Sequence, residues 1–175
     1  MENAVLHSLI TRRSVRRYKP DPVPQELLDQ VMEAGLYAAS GMGRQGSVIL
    51  QVTDKALRDR LMRLNAAVMG REDTDPFYGA PALLIVLSDR QYSTYLYDGS
   101  LVMGNMMNAA HALGLGSCWI HRAREEFDSP EGKELLRTLG IKGDYEGIGN
   151  LIVGYPDGAI PEAKPRREGR VFYAK

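Results

Sequence analysis

Four arginines stand within six residues in Arg12-Arg13-Ser14-Val15-Arg16-Arg17. Cations this close repel one another unless an anion is shared among them. A guanidinium fork suits phosphate because it donates two parallel hydrogen bonds. Ser14 adds a neutral donor. A second basic cluster, Lys164-Pro165-Arg166-Arg167, is stiffened by Pro161 and Pro165 and offers further donors of the same kind. Taken alone, each cluster also reads as solvated charge, the first as a basic turn and the second as a solubilising tail.

Other candidates are weaker. Gly114-Leu115-Gly116-Ser117-Cys118-Trp119 is glycine-rich, but it lacks the third glycine and the strand-then-helix order of a dinucleotide fingerprint. No phosphate-loop lysine is present. Cys118 stands alone in an apolar stretch, which is the pattern of a buried small residue more than of a nucleophile. His7, His111 and His121 fall on separate predicted elements without metal-ligand spacing. Glu125 and Glu126 are adjacent, so their side chains diverge, and the pair reads as a solvated loop. Neither a nucleophile triad nor a metal set emerges. Anion-binding arginines without an acid/base set are the pattern of an enzyme whose cofactor supplies the reactivity.

The elements that must carry these residues follow from periodicity and punctuation. Val5, Leu6, Leu9 and Ile10 share a helical face over 3–12. Pro20, Pro22 and Pro24 force an extended connection, and Pro24 opens a helix running toward Ala39. Ser40-Gly41-Met42-Gly43 ends it. A strand is predicted over 48–52 and a helix after the Asp54 cap. Residues 70–81 have loop composition. The apolar run 82–87 reads as a strand buried on both faces. A long helix over about 93–113, small and apolar almost all round, should be central and buried, with Gly114 as its cap. Further elements are a strand over 117–120, a helix from Ser129-Pro130 to Gly140, and a strand over 150–153. Interleaved helices and strands make the class α+β or α/β in one domain, 1–175.

Composition bounds the answer. The chain has 175 residues, 22 Lys+Arg against 22 Asp+Glu, 44% hydrophobic and 25% charged residues. Such a balance is globular, and zero net charge removes the usual case for a nucleic-acid or membrane partner. One cysteine allows no intrachain disulfide. No apolar run approaches the roughly 18 residues of a membrane span. The start, Met1-Glu2-Asn3, lacks the layout of a signal peptide, so a cytoplasmic location is expected.

In chain order, the motifs resemble the nitroreductase family of flavin-dependent oxidoreductases. Arg12 to Tyr18, followed by Pro22-Val23-Pro24, is similar to the family's flavin-phosphate signature. Ala39-Ser40-Gly41-Met42-Gly43-Arg44-Gln45 resembles its helix-ending segment, often A-P-S-x-x-N-x-Q-P-W. Gly114 to Ile120 resembles the G-x-G-S-x-W strand. Gly154-Tyr155-Pro156 and Lys164-Pro165-Arg166-Arg167 resemble the G-Y-P and K-P-R-R ending. The chain departs at Ala39, Gly43, Gly46 and Ser47, near where the family holds ring and substrate.

The resemblance implies an α+β, three-layer fold with a central mixed sheet, in a homodimer whose chains share two FMN sites. It implies hydride transfer from NADH or NADPH to FMN N5, then reduction of a nitroaromatic, quinone or similar small-molecule acceptor in a ping-pong cycle. Arg12 and Ser14 would contact the FMN phosphate and ribityl chain, with Arg13 alongside. Arg16 would support the N1/C2 edge of the ring electrostatically. Lys164 and Arg166 would close on the phosphate, while Ser40, Gly41 and Gln45 would reach the ring from the partner chain. Cys118, Trp119 and Ile120 would give backbone contacts. No catalytic side chain and no metal is implied. A non-catalytic flavin-binding, storage or sensor module, and a flavin-fragmenting or dehalogenating enzyme of the same fold, stand as alternatives.

Overall fold

Caps and glycines punctuate the chain in the computed structural model, which describes residues 3–175. Met1 and Glu2, on which the signal-peptide argument partly rests, lie outside the described residues. Helix α1 (Ala4–Thr11) is capped by the Asn3 side chain, which accepts from Val5 N and Leu6 N at 3.0 and 3.1 Å. Helix α2 (Gln25–Leu36) has Pro24 at its cap instead of its first turn. It ends at Leu36, short of Ala39, and a 3₁₀ turn at Gly41–Gly43 follows. Strand β1 (Ser47–Val52) leads to α3 (Lys55–Met69), whose Asp54 cap accepts from Leu57 N at 2.8 Å. Then come β2 (Ala82–Asp89), α4 (Tyr95–Ala112), β3 (Gly116–Ile120), α5 (Ala123–Asp128), α6 (Pro130–Thr138) and β4 (Tyr145–Gly154).

The sheet order is β1-β2-β4-β3, and every neighbouring pair is antiparallel. The expected mixed sheet is thus corrected for the four strands. Among the described residues the parallel pairing is a single bridge, Ser14 to Ser117. The reason is physical: an unbroken apolar run signals burial on both faces, and it does not specify strand direction.

Three layers result. Leu84, Val86, Leu151 and Val153 face α2 and α4, packing on Leu28, Val31, Met103 and Met106. Leu83, Ile85, Cys118 and Ile152 face the other way, onto Leu61, Phe77, Phe127 and Leu136. This is the period-2 alternation of a pleated sheet with both faces covered.

Helix α4 is central but not buried all round. Val102, Met103, Met106 and Ala110 are buried, whereas Tyr97 is 72% and Leu101 50% exposed. Every described residue of α1 escapes full burial, with Val5, Leu6, Leu9 and Ile10 all exposed. The Glu125-Glu126 loop is also corrected: both lie in α5, and Glu126 is wholly buried. Ala123, Glu126 and Phe127 share one helical face, so Glu126 follows its apolar neighbours inward.

Candidate functional site

The basic turn is clasped between two strand ends. Val15 N donates to Ser117 O at 3.0 Å, and Lys19 N donates to Tyr155 O at 2.9 Å. Tyr18 bridges Pro156, and its hydroxyl donates to Val15 O at 2.7 Å. Burial raises the Tyr18 phenol far above its ordinary range, so it stays a neutral donor. Glycine is required at the clasp. A Cβ on Gly116 would stand 2.9 Å from Val15 Cβ, and one on Gly154 would stand 2.9 Å from Tyr18 Cδ1. The glycine-rich strand and the Gly-Tyr-Pro segment are therefore the seat of the arginine turn.

That turn holds donors without acceptors. Arg12 Nη1, Arg13 Nε and, in α1 beside it, Ser8 Oγ are buried with no hydrogen-bond partner among the described residues. Arg13 Nη1 donates to Ile10 O at 2.8 Å and Arg12 O at 2.6 Å, closing the end of α1. Arg13 thus serves the helix end, while Arg12 keeps a donor in reserve. His111, expected on a separate element, comes to the same place: its Nε2 lies 2.9 Å from Thr11 Oγ1. Burial lowers its pKa, and Arg12, His7 and Arg13 lower it further. Buried cationic donors without partners are costly, and an anion satisfies them. The donor set fits a phosphate.

Beside the turn lies a cleft of about 380 Å³. Arg16 lines it with Cys118, Trp119 and Ile120 of β3. Sequence reasoning missed Arg71 and Arg122, which also line it. The 70–81 loop walls the cleft and is tied down at Asp75. Asp75 accepts from Phe77 N at 2.7 Å, Gly79 N at 2.8 Å and Arg58 Nη2 at 2.7 Å, and Phe77 is fully buried. Cys118 is 2% exposed, as a buried small residue should be.

Arg122 has the left-handed φ of +80° that favours glycine. Its Nε donates to Asn65 Oδ1 at 2.9 Å. Asn65 Nδ2 in turn donates to His121 O at 2.9 Å and to Glu126 Oε1. Asn150 Nδ2 donates to Glu126 Oε2 at 2.9 Å. Burial pushes the Glu126 carboxyl up to about 7, while the bonds from Asn150 and Asn65 and the charge of Arg122 pull the other way. The spacing of Ala123, Glu126 and Phe127 could have revealed Glu126. Nothing in the sequence links it to Asn65 or Asn150.

The remaining predicted residues lie apart from the cleft. Gly41 N donates to Asp98 Oδ1 at 3.0 Å, and Gln45 N donates to Ser40 Oγ at 3.0 Å. Ser40 and Gln45 line a smaller pocket of about 130 Å³ with Val102 of α4. Lys164 and Arg166 lie in the exposed tail, where Arg166 Nη2 donates to Lys164 O at 2.7 Å. One chain thus brings Arg16 to Cys118, Trp119 and Ile120, pairs Ser14 with Ser117 and keeps Arg12 and Arg13 at the end of α1, while the other five lie elsewhere.

The model of the family described as the nitroreductase family matches residues 9–155. The crystal structure of a nitroreductase with bound FMN from Bacteroides fragilis superposes with a TM-score of 0.90 at 29% identity, covering 99% of this chain and 100% of that one. The FMN reductase (NAD(P)H) of Bacillus subtilis is 27% identical over 88% of this chain and 66% of its own length. The iodotyrosine deiodinase of Thermotoga neapolitana is 28% identical over 93% of each.

Proposed function

The chain belongs to the nitroreductase family, and from that premise we propose that it is an FMN-dependent oxidoreductase. It takes reducing equivalents from NADH or NADPH and delivers them to small electron-poor acceptors such as nitroaromatics and quinones. The observation that carries this reading is the buried Arg12 Nη1, which has no partner among the described residues, together with the equally unpartnered Arg13 Nε and Ser8 Oγ. Arg12 and Ser14 hold the FMN phosphate and ribityl chain, with Arg13 ordering the turn. Arg16 sets a positive charge at the N1/C2 edge of the ring. Cys118, Trp119 and Ile120 offer main-chain contacts along the ring.

The chemistry such a group supplies when bound is hydride transfer at N5, from the nicotinamide donor in one half-reaction and to the acceptor in the other. The protein's share is binding, orientation and the charge of Arg16. Cys118 is too buried to act as a nucleophile, and solvent supplies the protons.

The site is completed in a homodimer. Ser40, Gly41 and Gln45 come from the partner chain, and Lys164 and Arg166 close on the phosphate. Support comes from the apolar surface one chain leaves bare: α1, the Tyr97 and Leu101 stripe of α4, and Val171, Phe172 and Tyr173 in the tail. Patches of this kind mark protein contacts.

The test is the visible spectrum of the purified protein with FMN, recorded without oxygen before and after NADH or NADPH. Bleaching of the flavin band, and its return on adding a nitroaromatic, is expected. An unchanged spectrum with both donors leaves a non-catalytic flavin module. The deiodinase relative favours a second reading, reductive dehalogenation at the same site. In the same assay, 3-iodotyrosine rather than the nitroaromatic would then restore the band.

A further inference from the structure

Six arginines outside the cleft, Arg17, Arg58, Arg60, Arg90, Arg124 and Arg137, pair with carboxylates. Arg58 pairs with Asp75 at 2.7 Å, Arg90 with Asp128 at 2.7 Å, and Arg137 with Glu134 at 2.6 Å. The cleft beside the basic turn is lined by Arg16, Arg71 and Arg122. None of the three has a carboxylate partner among the described residues. The acid lining the cleft, Asp75, is already taken by Arg58 and two backbone N–H groups. Positive charge therefore collects where the cleft has no acid to spare.

Arg122 is the most constrained of the three. An L-residue at φ +80° carries backbone strain that glycine would not. Its side chain is then fixed at Nε by Asn65, a fully buried residue held by the equally buried Glu126. Bonding at Nε leaves Nη1 and Nη2, the bidentate end of the fork, for a ligand. Met69, Pro76 and Tyr78 give the same cleft an apolar and aromatic wall.

We propose that Arg122, with Arg71, forms a subsite for the anionic group, carboxylate or phosphate, of a planar compound that exchanges electrons in this cleft. The inference rests on the flavin-dependent reading above and deepens it: the preferred partner in turnover is an anion whose ring lies on the apolar wall. Asn65 and Glu126 are positioning residues for the Arg122 fork. The anion has two possible sources, the acceptor's carboxylate or the 2′-phosphate that distinguishes NADPH from NADH.

Two ratios separate them in the FMN-loaded enzyme. One is kcat/KM for 4-nitrobenzoate over that for nitrobenzene, and the other is kcat/KM for NADPH over that for NADH. Both are measured in the parent, in R71Q and in R122G, where glycine fits the backbone and keeps the fold. Calorimetric binding of 4-nitrobenzoate and nitrobenzene to the oxidised protein gives a readout independent of turnover. A fall of about tenfold or more in the first ratio, the loss of one charge-assisted hydrogen bond, identifies the acceptor as the source. The same fall in the second identifies the donor. If both ratios stay put in R71Q and R122G, the subsite does not exist, whatever the parent's preference for 4-nitrobenzoate. If no donor bleaches the flavin, the oxidoreductase reading fails first. Calorimetry with 4-nitrobenzoate and inorganic phosphate then judges the subsite: heats lost in R122G uphold it, and heats equal to the parent's overturn it.

Discussion

Val15 N donates to Ser117 O at 3.0 Å, and that bond locks the basic turn to the edge of β3 directly above the hydrogen where Gly116 has no side chain. A methyl group at Gly116 would meet Val15 atoms at 2.9 Å. Gly116→Ala is expected to push the turn outward and to destabilise the fold by about 1–3 kcal/mol, the usual range for overpacking. FMN affinity should fall with it. Urea denaturation and FMN titration of the variant check both.

Arg12 keeps a buried donor with no acceptor among the described residues. Arg12→Ala should weaken FMN binding by about 1.5–3 kcal/mol, the worth of a hydrogen bond to a charged group. Riboflavin, which lacks the phosphate, should bind the parent and the variant alike. Fluorescence titration with both flavins measures the difference, and equal affinity of the parent for the two would remove the phosphate argument.

The motifs that seat the arginine turn are legible in the sequence because each is a local backbone demand: glycines where chains touch, and prolines where the chain must stay extended. Glu126 is not legible in the same way. Its neighbour Glu125 makes the pair look solvated, and only the tertiary partners Asn65 and Asn150 let a carboxyl be buried there. Arg122 hides for a related reason, since its left-handed backbone is set by the turn from β3 into α5 and not by its own preference. Sheet direction also escapes the sequence. The run over 82–87 is apolar because helices cover both faces, which parallel and antiparallel sheets read alike.

Glu126 makes stability depend on pH. Its carboxyl is raised from 4.5 to about 7 by burial. The folded state therefore binds more protons than the unfolded state between those values. This contribution is complete below about 4.5 and is lost as pH rises through about 7. Its full size is on the order of 3 kcal/mol. Glu126→Gln cannot ionise, so its stability relative to the parent should rise by that amount from pH 4.5 to pH 8. Denaturant melts of both proteins across that range give the difference curve.

The bare stripe of α4 should be interface. A charge pair placed there by Tyr97→Glu and Leu101→Glu must be desolvated on association, so the dimer should dissociate to monomers that bind FMN poorly. Light scattering coupled to size exclusion measures the mass. A parent protein that is monomeric yet holds FMN tightly would contradict the shared site.

The central claim is that this chain contributes binding and charge to the reaction, and no acid, base or nucleophile of its own. Stopped-flow reduction of the bound flavin by NADH and NADPH without oxygen tests it most directly, in the parent, Cys118→Ala, His121→Ala and Arg16→Ala. Cys118→Ala and His121→Ala should keep most of the parent rate. Arg16→Ala should be slowed by up to about 10²-fold, with solvent screening reducing the effect. Its flavin should also be harder to reduce. Reduction abolished in Cys118→Ala or His121→Ala, with Arg16→Ala left intact, would contradict the account and place a reacting group on the protein.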